Sequence, residues 1–179
     1  MTIIKGSEVI LRPATPNDCR QIYEWLTQSD ITSKMIGPPD FIDNPIPTWE
    51  DFINDYNSHF FDDIDPDNGR SFIIEVSDFQ LGHINYNEID RRTDSVELDI
   101  WLASSDHCNK GYGTDAINTL CKYLTSKLNC KAFILAPSAR NKAAIRAYKK
   151  CGFEPTNELQ TSFIPDYHDT IVMVKRIQQ

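Results

Sequence analysis

Apolar and polar residues follow two periodicities along the chain, one typical of strands and one typical of helices. Alternating or short unbroken apolar runs are typical of strands. We expect strands at residues 8–13, 71–76, 80–88, 95–102, 132–137 and 170–176. Polar, hairpin-sized connections join the three consecutive strands in the middle of the chain, which predicts antiparallel pairing there.

Apolar residues that recur every three or four positions predict four helices. We place these helices at residues 15–29, 48–60, 113–128 and 139–151. The first has Thr15 as its cap and Pro16 at its first position. Its inward residues are Ile22, Trp25 and Leu26. Those of the second are Trp49, Phe52, Ile53 and Tyr56. Those of the third are Ile117, Leu120, Cys121, Leu124 and Leu128. Gly152 follows the fourth helix as a C-terminal cap.

The elements follow the order β-α-α-β-β-β-α-β-α-β-β, which predicts one α/β (α+β) domain over residues 1–179. Hairpins come first and a β–α–β unit follows, so we expect a mixed, mostly antiparallel sheet. The proline-rich segment 37–47 is predicted to be an irregular loop. An opening in the sheet is expected where strand 95–102 leads into the next helix.

Composition excludes several classes of partner. The net charge is −8, the pI is near 4.9 and there is no basic cluster, so nucleic acid is not an expected partner. No apolar run approaches the roughly 20 residues of a membrane span, and the first residues turn polar too soon for a secretory signal. We therefore expect a cytoplasmic protein without membrane contacts.

Cysteine and histidine spacing predicts neither disulfides nor a metal site. The five cysteines are scattered without a CxxC pair, which indicates reduced thiols. The four histidines are isolated, with no HxxxH or Cys/His cluster. We expect no bound metal.

The most informative stretch is "CNKGYGTDA", residues 108–116. Two of only seven glycines, Gly111 and Gly113, stand between a strand and a long helix, next to Lys110. Main-chain N–H groups at a helix N-terminus bind phosphate well when no Cβ blocks the approach. A tight turn without a ligand is the alternative. The stretch matches neither a P-loop nor the GxGxxG opening of a dinucleotide fold.

A second motif is "NKAAIRAYKKCGF", residues 141–153. On a helix, Asn141, Ala144 and Tyr148 share one stripe, and the small Ala144 leaves room for a ligand between an amide and a phenol. The alternative is an ordinary helix whose Tyr148 is half buried against the core.

In this order the two motifs resemble the GNAT family of N-acetyltransferases, which use acetyl-CoA, and the resemblance covers nearly the whole chain. It implies a mixed central sheet with helices on both faces, CoA as a bound partner and a possible homodimer. The pyrophosphate-binding turn falls on Cys108, Asn109, Lys110, Gly111, Tyr112, Gly113 and Thr114. Other cofactor contacts fall on Ile100, Trp101, Leu102, Asn141, Ala144 and Tyr148. Tyr148 matches the family's general acid.

Two positions of the turn depart from the family's usual pattern. Cys108 stands where Arg or Gln is usual, and Asn109 stands where Gly is frequent. Both positions contribute mainly backbone N–H groups, so phosphate binding should survive. We expect Cys108 to be the most reactive thiol, because a helix N-terminus lowers a thiol pKa.

Strand 95–102 carries the candidate base. Side chains alternate along a strand, which places Glu97, Asp99 and Trp101 on one face. Within the family the chain is most similar to aminoglycoside 6′-N-acetyltransferases, in which the residue aligned with Asp99 acts as base. Two carboxylates and an indole on one face suit a cationic amine. The alternative is that Glu97 and Asp99 face solvent, and water also remains a candidate proton acceptor.

A main-chain N–H near Leu102 is the expected donor to the thioester carbonyl. We thus predict direct acetyl transfer to a primary amine of a small cationic acceptor, such as an aminoglycoside or a polyamine. Acetylation of a protein N-terminus or lysine is the alternative enzymatic function, with the loop 37–47 covering or shaping a peptide groove. A non-catalytic acetyl-CoA-binding module is the alternative of another class.

Overall fold

The computed structural model describes residues 2–157 and 165–177, and the strands of these ranges form one eight-stranded sheet. In chain order the strands are β1 (Ile4–Lys5), β2 (Ile10–Pro13), β3 (Arg70–Val76), β4 (Phe79–Tyr86), β5 (Ser95–Leu102), β6 (Ala132–Leu135), β7 (Glu154–Pro155) and β8 (Met173–Arg176). The helices are α1 (Cys19–Gln28), α2 (Trp49–Asp55), α3 (Tyr112–Leu128) and α4 (Lys142–Lys150).

The sheet is mixed and mostly antiparallel, as predicted. Its strand order is β1-β2-β3-β4-β5-β6-β8-β7. Within the described ranges only the β5–β6 pair is parallel, and α3 forms the crossover between those two strands. The polar connections predicted for the middle strands are hairpins, one of which turns through Ser77 and Asp78 with positive φ angles of 49° and 70°.

Helices cover both faces of the sheet, which confirms the architecture expected from the sequence. On one face the apolar side of α3 packs on the larger core, and Ile145 and Tyr148 of α4 join it. On the other face Ile22 of α1 and Phe52 of α2 pack with Trp101 of β5. The two faces of β5 therefore belong to two different cores.

The second predicted helix is shorter than expected. It ends at Asp55 because Tyr56 adopts φ −90° and ψ 70°, and a 3₁₀ turn follows at Ser58–Phe61. Ile53, predicted to face inward, is 40% exposed, so that part of the pattern is wrong. The two-residue β1 was not predicted either.

Other boundaries agree closely with the patterns. Helix α3 differs from its prediction by one residue. A 3₁₀ turn at Pro16–Asp18, with Thr15 as its cap, precedes α1. Gly152 ends α4 with φ 85°, a left-handed conformation that favours glycine. None of the helices in the described ranges combines the length and apolar character that crossing a bilayer requires.

Candidate active site

The parallel pair β5–β6 separates early and leaves an opening in the sheet. Its pairing ends at Glu97–Ile134, although β5 continues to Leu102. Asn87 N–H donates to the carbonyl of Glu97, which places odd-numbered residues of β5 in the bonds to β4. The main-chain groups of Ile100 and Leu102 therefore point towards the opening. This is the position predicted for the opening, while the role of the Leu102 N–H stays a prediction.

The glycine turn presents main-chain N–H groups at the end of this opening. Gly111 precedes α3 with φ 89°, and Asn109 also has a positive φ of 59°. The first helical bond runs from Asp115 N–H to Gly111 O at 2.9 Å, so the N–H groups of Tyr112, Gly113 and Thr114 precede the helical ladder. Among the described residues, no side chain caps this helix. Helices α2 and α4, in contrast, are capped by side chains.

Space around both glycines is open. A Cβ on Gly111 would meet no atom within 4 Å, and one on Gly113 would meet only Ile100 Cδ1 at 3.8 Å. Gly111 is explained by its positive φ, but neither φ nor protein packing requires a glycine at position 113. A glycine in a helix is unfavourable relative to alanine by about 0.5–1 kcal/mol. The role of Gly113 in ligand binding stays a prediction, with which this open space is consistent. The Lys110 side chain is exposed beside this turn.

The prediction that Cys108 is an activated thiol is wrong. Cys108 ends a 3₁₀ turn at Ser105–His107 and precedes α3 by several residues. Its Sγ is directed at the carbonyl of Ser104, 3.8 Å away, rather than at the helix amides. Burial raises the pKa of Cys108, and the nearby Lys34 only partly opposes this shift. The thiol is therefore protonated at neutral pH.

Glu97, Asp99 and Trp101 share one face of β5, but that face is not solvated. Both carboxylates are half-buried and bind the same amide. Asn87 Nδ2 donates to Glu97 Oε2 at 3.4 Å and to Asp99 Oδ2 at 3.2 Å. Asn85 Nδ2 donates to the same Asp99 oxygen at 3.2 Å, and Asn85 Oδ1 accepts from the Tyr56 hydroxyl. The solvent-facing alternative is thereby excluded.

The carboxylates are held in an environment that disfavours their charge. Burial raises the pKa of Asp99, and the negative charge of Asp166 raises it further. Burial, Asp99 and Asp166 together raise the pKa of Glu97. No cationic side chain in the described ranges forms an ion pair with Glu97, Asp99 or Asp166. Negative charge on these carboxyl groups is therefore not balanced by a cationic side chain of the described residues.

Two further features shape the acidic face. Glu97 lines a cleft of about 510 Å³ that extends along the β4–β5 connection. At the other end Trp101 is only 8% exposed, with its ring centroid 4.4 Å from that of His83. The indole therefore closes the acidic face, and the expected contact between its ring and a bound cation has little surface available.

Tyr148 lies on α4 and is available to a ligand. None of the described residues forms a hydrogen bond with its hydroxyl. Burial raises the pKa of Tyr148 well above its usual value, and the charge of Asp99 contributes to the shift. The phenol is thus a neutral O–H donor within electrostatic range of Asp99.

The predicted helical stripe is altered at its first residue. The helix expected from residue 139 begins at Lys142, so Asn141 is its cap and lies outside the helix. Asn141 Oδ1 accepts from Ala144 N–H at 3.0 Å, which leaves only the amide NH₂ for a ligand. Ala144 is half-buried. An asparagine three residues before a helical N–H is a capping signal that the sequence already contained.

Sequence reasoning missed four residues of the acidic site. Asn85 and Asn87 alternate along β4 in "HINYNE", and pairing this stretch with β5 places them beside Asp99 and Glu97. Tyr56 and Asp166 carry no comparable signal, because their position depends on how distant segments pack.

A group of possible metal ligands was missed as well. Asp43, His168 and Asp169 offer ligand atoms that lie within 4.8 Å of one another. The guanidinium of Arg140 binds both carboxylates, at 2.8 Å and 3.0 Å. The expectation of no metal stays a prediction, and in this arrangement a cation would compete with an arginine.

The mixed sheet with its split β5–β6 pair and the glycine turn before α3 is the fold expected of the acetyltransferase class. The family model of the acetyltransferase (GNAT) domain matches residues 8–154. The chain belongs to the GNAT acetyltransferase family, which confirms the family and the enzyme class predicted from the sequence.

Known relatives agree with this assignment. An N-acetyltransferase 9-like protein from Nematostella vectensis is 22% identical over 159 residues, which are 86% of this chain and 78% of that protein. A spermidine N-acetyltransferase from Vibrio cholerae, solved with CoA and spermine, has a TM-score of 0.71 at 23% identity over 95% of this chain and 96% of its own. An aminoglycoside acetyltransferase AAC(6′)-Ib, solved with ribostamycin and coenzyme A, has a TM-score of 0.73 at 24% identity over 95% and 94%. These structures share the fold.

Proposed function

We propose that this protein transfers the acetyl group of acetyl-CoA directly to a primary amine of a small polycationic acceptor, such as a polyamine or an aminoglycoside. The proposal rests above all on the acidic group of Glu97, Asp99 and Asp166, in which Glu97 and Asp99 share the Asn87 amide and have no cationic partner among the described residues. Like charges that raise one another's pKa values are stabilised by a ligand that brings positive charge. An acceptor with more than one ammonium group supplies it.

The glycine turn is the proposed CoA site. The N–H groups of residues 112–114 and the positive end of α3 would hold the diphosphate, and the space beside Gly111 and Gly113 admits it. The outward N–H of Leu102 would polarise the thioester carbonyl in the β5–β6 opening. The solved relatives that contain CoA or acetyl-CoA support this assignment.

The chain's own residues would then carry the proton transfers. Asp99, directly or through water, accepts a proton from the acceptor's ammonium group, which frees the nitrogen lone pair. The nitrogen attacks the thioester carbonyl, the new C–N bond forms and the C–S bond breaks. Tyr148 donates its hydroxyl proton to the departing sulfur, and the second proton lost by the attacking nitrogen restores the phenol, directly or through water. Glu97, whose pKa is raised in the free protein, would ionise beside a second ammonium group, because a nearby positive charge lowers that pKa.

A small acceptor is favoured over a peptide by one contact. The loop 37–47, which we considered as part of an open groove, is fastened to the start of α4 by the ion pair between Asp43 and Arg140. We expect a loop held in this way to be less able to open a groove for a peptide chain.

The test is thiol release from acetyl-CoA with a graded set of amines. Spermine, spermidine, putrescine and ribostamycin are compared with butylamine, which has one charge, and with a lysine-containing peptide. We expect kcat/KM to rise from butylamine through putrescine to spermine, because added ammonium groups meet the uncompensated carboxylates. Preference for the peptide would overturn the acceptor class. Binding of acetyl-CoA without transfer to any amine would instead favour a non-catalytic module.

Gly111→Ala is expected to raise KM for acetyl-CoA about tenfold or more, because a Cβ would enter the space proposed for the diphosphate. Gly152→Ala is the matched control. Gly152 has nearly the same φ, 85° against 89°, and a Cβ there would meet only Lys175 Cε at 3.9 Å. Both variants should lose similar stability in thermal unfolding, but only the first should weaken acetyl-CoA binding. Equal KM values would contradict the phosphate role.

A further inference from the structure

Arg140 forms an ion-pair cluster between the loop 37–47 and the segment 165–170. Its Nη1 and Nη2 donate to the two oxygens of Asp43 at 2.8 Å and 2.9 Å. Nη2 and Nε donate to the two oxygens of Asp169 at 3.0 Å and 3.1 Å. Nη1 also donates to the carbonyl of Asp40. Every N–H of the guanidinium has an acceptor, and we call Arg140, Asp43 and Asp169 the arginine clasp.

The arginine clasp connects three separate segments of the chain. Asp43 belongs to the loop 37–47, and Asp169 belongs to the segment that precedes β8. Arg140 itself directly precedes Asn141, the cap of the helix that carries Tyr148. A planar fork with five donors can hold two carboxylates at once, whereas a lysine ammonium cannot reproduce that geometry.

Aromatic contacts extend the clasp towards the reacting groups. The guanidinium lies 4.5 Å from the ring centroid of Phe41, and that ring meets Tyr167 edge-on at 5.8 Å. The Tyr167 hydroxyl donates to the carbonyl of Met35 at 3.1 Å. Tyr167 adjoins Asp166, the carboxylate that acts on Asp99. The segment with the clasp's second carboxylate is thus the one that completes the acidic site.

Main-chain bonds hold only one of the two segments. Ala139 N–H donates to the carbonyl of Asp169, and Ser138 bridges to Thr170, so the segment 165–170 is anchored to the strand–helix connection by its backbone. The loop 37–47, in contrast, is held there by the Asp40 carbonyl and by the side chains of Asp43 and Phe41, all of which contact Arg140. His168 Nδ1 also lies 2.6 Å from Asp43 Oδ2. Loss of Arg140 would therefore remove most, but not all, of the contacts that hold this loop.

We propose that Arg140 is a positioning residue for the acceptor: it fastens the loop 37–47 to the segment 165–170 and so fixes the wall of the acceptor site, without touching the reacting atoms. The expected change in KM for the acceptor rests on the proposed function. The expected release of the loop 37–47 does not. Misplacement of a site wall by about 1 Å costs up to about 100-fold in rate. The effect should fall on the acceptor and leave acetyl-CoA unaffected.

Arg140→Ala is tested with spermine as the acceptor probe. We expect KM for spermine to rise about tenfold or more, while KM for acetyl-CoA stays within about twofold of the wild-type value. Arg140→Lys should recover only a small part of the loss. An equal rise in both KM values, or none in that for spermine, would overturn the proposal.

Arg12→Ala is the matched control. Arg12 also joins two carboxylates, Asp18 and Glu75, and its side chain is 27% exposed against 29% for Arg140. It lies on β2 and has no contact with the acidic site or the glycine turn among its described partners. We expect Arg12→Ala to lower the melting temperature without changing either KM.

Hydrogen–deuterium exchange separates this inference from the proposed function. In Arg140→Ala the amides of residues 37–47 should exchange faster, with unchanged exchange at the start of α3. If this loop keeps its protection, the clasp does not fasten it, whatever the kinetics show. If the loop is released but the wild-type protein acetylates no amine, the clasp stands and the proposed function fails.

Discussion

Replacing Asp99 by asparagine is expected to lower kcat/KM for the amine acceptor by about 10²- to 10³-fold at neutral pH, an effect typical of a lost general base. A primary ammonium group titrates near pH 10, so almost none of the acceptor is nucleophilic without proton removal. Burial and the charge of Asp166 raise the pKa of Asp99, which makes its carboxylate a stronger base than an exposed one.

The pH dependence of this loss decides between two roles of Asp99. For the wild-type protein, kcat/KM should rise with pH as the coupled pair of Glu97 and Asp99 ionises, and this rise lies above the usual carboxyl range because both pKa values are raised. The deficit of Asp99→Asn should shrink as pH approaches about 10, where the amine loses its proton unaided. A constant deficit would contradict the base role and assign Asp99 to substrate binding.

Two controls accompany this measurement. Glu97→Gln should mainly raise KM for a polycationic amine, because Asp99 and its bonds from Asn85 and Asn87 remain.

The second control is the stability of Asp99→Asn, which should rise although its rate falls. A carboxyl whose pKa is raised on folding costs stability above that raised pKa, and the cost vanishes below its unfolded pKa of about 4. Asp99→Asn should therefore melt at a higher temperature than wild type at about pH 8, with little difference at about pH 4.

Local patterns were sufficient for most of the fold. Period-2 and period-3.6 signals located α3 within one residue and β5 at its observed bounds, because both elements bury one regular face. The same reasoning failed for α2, where Ile53 fits the helical rhythm but points outwards. Tyr56 leaves the helix to reach Asn85, a tertiary contact that no local pattern contains.

The candidate site divides in the same way. Gly111, Asp99 and Tyr148 lie in motifs with a chemical meaning of their own, so the sequence sufficed to propose them. The charge of Asp166 raises the pKa of Asp99, but only folding brings the two residues near each other. The two members of the ion pair between Asp43 and Arg140 are 97 residues apart in sequence. Charges that meet across such distances follow from topology, whereas spacing along the chain predicts only neighbours on one element.

Tyr148→Phe is expected to lower kcat about tenfold or more while leaving KM for acetyl-CoA nearly unchanged, because the hydroxyl acts on the departing thiolate rather than on the bound thioester. Burial and the charge of Asp99 keep the phenol protonated throughout the assay range. The acid therefore contributes no loss of wild-type activity on the alkaline side of the pH profile. A decline with a midpoint near neutral pH would assign the proton to another group.

Tyr86→Phe provides the reciprocal control for this experiment. The Tyr86 hydroxyl donates to the carbonyl of Pro66 at 2.9 Å, and its ring is buried in the core away from the glycine turn. Its removal should lower stability by about 1 kcal/mol and leave kcat unchanged. Tyr148→Phe removes no hydrogen bond to a described residue, so its melting temperature should hold while its turnover falls. Unchanged turnover in Tyr148→Phe would exclude the phenol as the acid, and leave water to protonate a thiolate of pKa about 8.5.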